Sequence, residues 1–179
     1  MNVPESVVRS RDRGVLKRLR GTPLAPVHYV IGRAVGALAL SLLVAALVVV
    51  LGCVAYGLRP PLLGLLGAVG VLVLGTGSLI SAGFLLAAAV RNSRAYGAVA
   101  IVVLLPVSFV SDVFGPAGPN WMVALGSAFP VKHLQNALSD LFAGVVSSST
   151  WVHASVLALW AVLAGLLAVR VFRWSPAQE

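Results

Sequence analysis

Two uncharged apolar runs, Ala34 to Leu58 and Leu62 to Val90, constrain this chain more than any other feature. The first is about 25 residues long, which as helix reaches roughly 38 Å and crosses a hydrocarbon core of about 30 Å. The second, at about 29 residues, exceeds what a perpendicular span needs. It is expected to tilt, bend or begin in the interface, with Gly75-Thr76-Gly77-Ser78 as its weak point. Two shorter runs follow. Ala95 to Ser111 carries Pro106, which predicts a kink near its far end. Trp151 to Val169 is about the minimum length that spans, with Trp151 and Trp174 as interfacial anchors. Charged residues make up 10% of the chain, against roughly 25% in globular proteins. Lipid, not an ordinary core, must solvate most of it.

The loops orient the spans. On one side lie Arg9, Arg11, Arg13, Lys17, Arg18, Arg20 and Arg33, then Arg91 and Arg94, then Arg170 and Arg173; on the other lie only Arg59 and Lys132. The positive-inside rule therefore places both termini in the cytoplasm. The formal charge of +8 is explained by this topology. No basic face with interleaved aromatics points to nucleic acid. The basic N-terminal region is too long for a signal n-region and the first apolar run too long for an h-region, so that run is expected to remain as an anchor. Ala, Val, Leu and Gly dominate and Arg outnumbers Lys, a usage associated with GC-rich bacterial genomes. A multi-pass protein of the bacterial inner (plasma) membrane is expected.

Residues 113–150 are read as an outer region with structure of its own. Gly115-Pro116 and Gly118-Pro119 break the third span. Trp121 to Phe129 is apolar, Pro130 interrupts, and Leu134, Leu138, Leu141 and Phe142 recur at helical spacing. Lys132, Gln135, Asn136, Ser139 and Asp140 share that second piece. A charge at the bilayer centre costs about 2.5–3.5 kcal/mol on insertion scales, so two short helices re-entering the outer leaflet fit better than a fifth crossing. The predicted fold is thus an all-α integral membrane protein forming a single domain over 1–179. It has four transmembrane helices (about 32–58, 62–90, 95–112 and 151–169), a cytoplasmic amphipathic N-terminal helix and a short re-entrant helical pair on the outer side. Gly32 and Gly36, and Gly64, Gly67 and Gly70, are candidates for close helix packing.

No enzyme constellation emerges. The spans hold no paired carboxylates, and Ser, His and Asp occur without a nucleophile motif. Asp112, His133 and Asp140 read more simply as polar groups at the outer rim. His28, His133 and His153 are dispersed and Cys53 is the only cysteine, so neither a metal site, a cofactor nor an internal disulfide is expected. No Asp, Glu, Lys or Arg stands near a span's midplane, where ion-coupled transporters usually place ionisable groups. The sequence also has no G-x-x-x-x-G-K-[ST] loop. A driving force must come from a partner.

The segment from Arg11 to Pro23 is dense in basic residues and partly amphipathic. As a helix from about Pro4 to Arg20, it places Val8, Asp12, Val15 and Leu19 on one face and Arg9, Arg13, Lys17 and Arg20 along another. Like charges four apart disfavour an isolated helix by roughly 0.2–0.5 kcal/mol per pair, so acidic groups or anionic headgroups must face the stripe. Gly21-Thr22-Pro23 ends the helix, and Pro26 is expected to keep the chain extended up to the membrane. Three readings stay open on these residues: a topology determinant lying on anionic lipid, a docking helix for a cytoplasmic ATPase, and a site for nucleic acid or some other partner.

Asp12-Arg13-Gly14-Val15-Leu16, Leu19, Thr22-Pro23 and then Gly32-Arg33 resemble the cytoplasmic coupling segment of ABC transporter type 2 permeases, the membrane subunits of ATP-driven exporters. Val15 departs from the Thr often found after that Gly. Val90-Arg91-Asn92-Ser93 is similar to the family's short inside turn. Phe109 to Phe114 with Gly115-Pro116, then Trp121, Phe129-Pro130 and His133-Leu134, resemble its outer region before the last helix. The resemblance covers nearly the whole chain. The family usually has six spans, two of them before the coupling segment, and this sequence starts almost at that segment, so it lacks the first two. A fragment, a misassigned start and a true four-span protein are all compatible with this.

The resemblance implies a permease subunit that is not itself an enzyme. A partner ABC ATPase docks on residues 1–29, through Arg13, Gly14, Leu16, Lys17, Arg18, Leu19, Arg20, Thr22 and Pro23. A second permease subunit, as homo- or heterodimer, completes the path, and lipid surrounds it. Trp121, Phe129, Pro130 and His133 mark the outer re-entrant region. The apolar spans suit export of a hydrophobic or amphipathic cargo such as a drug, lipid or lipid-linked product, with multidrug resistance as one outcome. The alternative is a non-transporting four-span anchor or assembly subunit that recruits a partner through its basic segment.

Overall fold

The computed structural model describes residues 26–90, 93–115 and 118–171. Among these residues there are six helices and no strand: α1 Pro26–Tyr56, α2 Leu62–Ala89, α3 Ser93–Val110, α4 Asn120–Gly126, α5 Pro130–Phe142 and α6 Ser148–Val171. The all-α expectation holds. The predicted amphipathic helix before Arg20 and the whole segment Arg13 to Pro23 lie outside the described residues, as does Trp174.

Three helices are long and apolar enough to cross a membrane, through Ala34–Tyr56 of α1, Leu62–Ala89 of α2 and Ser148–Leu167 of α6. They correspond to the first, second and fourth predicted spans. The third corresponds to α3, whose apolar part, Ala95–Val110, is shorter than these. It reaches only about 24 Å as helix, below the roughly 30 Å of a hydrocarbon core. Pro106 lies inside α3, which continues to Val110.

One local expectation is corrected. Pro26 does not hold the chain extended: α1 begins at that residue. A proline suits the first helical turn, because its missing N–H would have no intrahelical partner there. The Gly75-Thr76-Gly77-Ser78 stretch stays helical within α2, which runs from Leu62 to Ala89. A Cβ at Gly75 would meet the side chain of Leu134, and the fully buried Ser78 closes its hydroxyl onto the Gly75 carbonyl at 2.8 Å. The small residues here admit a neighbour.

At the other end of α1 the helix stops at Gly57, whose φ of +64° suits a residue without Cβ. The next N–H, that of Leu58, returns to the Gly52 carbonyl at 3.3 Å.

The helices are not packed alike. α2 lies chiefly along α6, and α5 fits against both. The core sits at that junction: Ala68 and Val71 of α2, Ala137 and Leu141 of α5 and Leu157 of α6, with Leu74, Leu134 and Leu138 packed around them. Ser81 Oγ also donates to the Ala161 carbonyl at 3.0 Å, tying α2 to α6. Gly64 and Gly67 serve this packing as expected, because a Cβ would strike the Leu141 carbonyl at the first and its side chain at the second. Gly32, Gly36 and Gly70 have nothing within 4 Å of such a Cβ. Among the described residues they are not packing positions.

α1 touches mainly α2, and no residue in its apolar stretch is buried. Leu40, Leu43, Leu47 and Leu51 are all exposed. α1 and α2 are apolar on every side, a pattern that belongs to lipid. α5 is the amphipathic helix, its buried side including Ala137 and Leu141.

Candidate functional site

Polar side chains gather where α3 ends, α4 and α5 turn, and α6 begins. α3 stops at Val110, and Asp112 follows with a φ of 63°, a left-handed conformation that Asp tolerates better than most side chains. That turn directs the Asp112 carboxylate to Lys132 on α5, with Oδ2 and Nζ 3.0 Å apart. The two side chains are 24% and 9% exposed, so the pair is largely desolvated and depends on its surrounding hydrogen bonds. Lys132 Nζ also donates to the Val123 carbonyl of α4 at 3.3 Å, and Gln135 Nε2 donates to the Asp112 carbonyl at 3.0 Å. Three helices are thereby joined through one turn. Gly126 lets α4 approach α3 closely, since a Cβ there would collide with the Val110 carbonyl. Ser111 Oγ and Gln135 Oε1 are buried beside this pair with no hydrogen-bond partner among the described residues.

A second group spans the α5–α6 seam. His133, one turn into α5, places Nδ1 2.8 Å from Nδ1 of His153 on α6. Its Nε2 lies 2.8 Å from the Ser127 carbonyl, which must accept. Trp160 of α6 donates Nε1–H to the adjacent Ala128 carbonyl at 3.1 Å, so α6 pins the turn between α4 and α5. Lower on the seam, Asp140 Oδ2 accepts from the hydroxyls of Thr150 at 3.1 Å and Ser149 at 3.2 Å, at the start of α6.

The four outer residues picked from the sequence meet different fates. His133 and Pro130 are buried, with Pro130 opening α5. Phe129 is half-buried at the cap of α5, its N–H on the Gly126 carbonyl at 3.0 Å. Trp121 is exposed on α4 and joins none of the polar contacts described above. The short helical pair α4–α5 is present, broken at Pro130 as its sequence predicts. Sequence reasoning missed the meeting of His133 with His153. The two lie on different helices, and no periodicity connects them. Among the described residues no group of three or more His, Cys, Asp or Glu is placed to hold a metal. The cluster links helices, and its chemistry is hydrogen bonding and charge pairing.

The sequence matches the family described as "ABC-2 family transporter protein" over residues 1–170. The chain belongs to that family. It is therefore a membrane protein and the permease component of an ABC transporter, a class that works with an ABC ATPase. No curated protein and no solved structure matches it. For this ABC-2 permease the polar cluster joins the ends of α3, α4, α5 and α6. The α5 helix also supplies Ala137 and Leu141 to the core.

Proposed function

We propose that the chain is the transmembrane permease subunit of an ATP-driven exporter. A partner ATPase docks on the cytoplasmic segment before α1, and two permease subunits enclose a path for a hydrophobic or amphipathic cargo. The observation that carries this reading is the family match, which runs from residue 1 and so includes the basic segment Arg11 to Pro23. The spans support it: without Asp, Glu, Lys or Arg near their midplanes they offer no ion-coupling groups, so the driving force comes from the ATPase. Leu16 and Leu19 enter an apolar cleft of the ATPase, while Arg13, Lys17, Arg18 and Arg20 meet its acidic rim. Both termini face the cytoplasm of a bacterial cell, and ATP hydrolysis stays on the partner.

The test is twofold. Leu16→Asp combined with Leu19→Asp is expected to abolish co-purification of the ATPase while membrane insertion is unchanged. ATPase that still co-purifies with the double variant refutes the docking segment. In proteoliposomes holding both subunits, a hydrophobic dye is expected to stimulate ATP hydrolysis and to be moved. ATPase binding without any stimulated hydrolysis or movement would instead mark an anchor or assembly subunit.

A further inference from the structure

The hydrogen positions on the His133–His153 pair follow from its acceptor. The Ser127 carbonyl only accepts, so Nε2 of His133, 2.8 Å away, carries a hydrogen. A neutral imidazole carries only one, which leaves Nδ1 of His133 as a lone pair. Nδ1 of His153, 2.8 Å from it, therefore donates, and Nε2 of His153 becomes the free basic nitrogen. The rings lie with centroids 5.0 Å apart and planes at 55°, so the contact is made through these nitrogens and not by stacking.

Protons can then be counted. One added proton goes to Nε2 of His153, and the line between the two Nδ1 atoms still holds a single hydrogen. A second must go to Nδ1 of His133. Two N–H groups would then point at each other across 2.8 Å, each on a cationic ring. That arrangement is repulsive in both charge and contact, and the rings must part.

Asp140 is the acidic group on this seam, held by the Ser149 and Thr150 hydroxyls. Lys132 is the other charged residue of α5 and is engaged by Asp112 beyond the end of α3. α2, which packs against both α5 and α6, and the short α4 contribute no titratable side chain. The cation of α6, Arg170, stands in its last turn at the far end.

We propose that His133 and His153 form a one-proton site that clasps α5 to α6, closed with no or one added proton and opened by a second. Nothing in the transport reading requires it. Opening would part α5 from α6 at this seam, while Nε2–H of His133 stays on the Ser127 carbonyl. Acid on this face of the protein thus weakens the seam.

The full chain has three histidines, so ring-15N NMR in lipid nanodiscs is tractable, with His28→Asn for assignment. At pH 7.5 a through-hydrogen-bond 15N–15N coupling is expected between the two Nδ1 atoms. As pH falls, the pair is expected to gain one proton with the coupling kept. The coupling should vanish only when a second proton enters. Absence of the coupling at pH 7.5 overturns the proposal, and so do two rings that titrate independently with no change in each other's signal. Thermal unfolding provides a second readout. The unfolded chain takes up two protons where the closed pair takes one, so stability should fall with falling pH. His153→Gln should flatten that dependence, and an unchanged slope also refutes the clasp.

Discussion

Lys132 and Asp112 pose the sharpest question at the scale of single residues. Their charges sit 3.0 Å apart and mostly out of solvent, where removing one partner is far more costly than removing both. Lys132→Met is expected to cost about 3–5 kcal/mol of stability, because it strands the Asp112 carboxylate. Adding Asp112→Asn should recover most of that loss, since Asn also accepts the left-handed backbone at φ 63°. Denaturant unfolding in detergent measures both. A loss from Lys132→Met below about 1 kcal/mol would place the pair among solvated surface bridges. The sequence marked Lys132 and Asp140 as too polar for the bilayer centre, and that much was legible. It did not say that Lys132 would be paired with a residue from the end of another helix, or that Asp140 would be held by Ser149 and Thr150.

Among the helices, close approach is decided by a few glycines, and sequence spacing alone chose them imperfectly. Gly126 faces the Val110 carbonyl, a backbone atom that cannot rotate away. Gly126→Ala is therefore expected to destabilise the α3–α4 contact by about 1–3 kcal/mol, as overpacking does elsewhere. Gly36 meets nothing among the described residues, and Gly36→Ala should be neutral or stabilise α1 by up to about 1 kcal/mol through helix propensity. Thermal unfolding of the two variants side by side checks the contrast; a reversed order would mean that the α3–α4 approach is wrong. The GxxxG spacing of Gly32 and Gly36 looked the more regular motif. Regularity reflects the helical repeat, whereas contact depends on which face a neighbour covers.

For the whole molecule, the question is how many times the chain crosses the membrane. Three helices are long enough without adjustment, and α3 is short. The charge distribution still asks for four crossings, because an odd number would put Arg170 on the side opposite Arg91 and Arg94. In a Cys53→Ser background, an impermeant maleimide applied to intact cells should label Gly118→Cys and Ser148→Cys but not Asn92→Cys. Labelling of both Asn92→Cys and Gly118→Cys, or of neither, would mean that α3 does not cross. With four crossings the α3 helix must be met by a locally thinned bilayer, which costs only fractions of a kcal/mol per Å.

Length and apolar composition are local properties, and they were enough to determine α1, α2 and α6 as membrane helices, the break after Val110 and the second break at Pro130. A helix in lipid closes its own backbone hydrogen bonds, so its existence does not wait for neighbours. What the tertiary structure alone decided is which surfaces meet. In lipid the apolar faces of α1 and α2 are equally well solvated on every side, so no hydrophobic pattern points toward a partner. The position of α5 against both α2 and α6, the close contacts at Gly64 and Gly75 and the joining of His133 to His153 rest on shape and hydrogen bonding between distant segments. Those are properties of pairs of helices, and a single run of residues does not contain them.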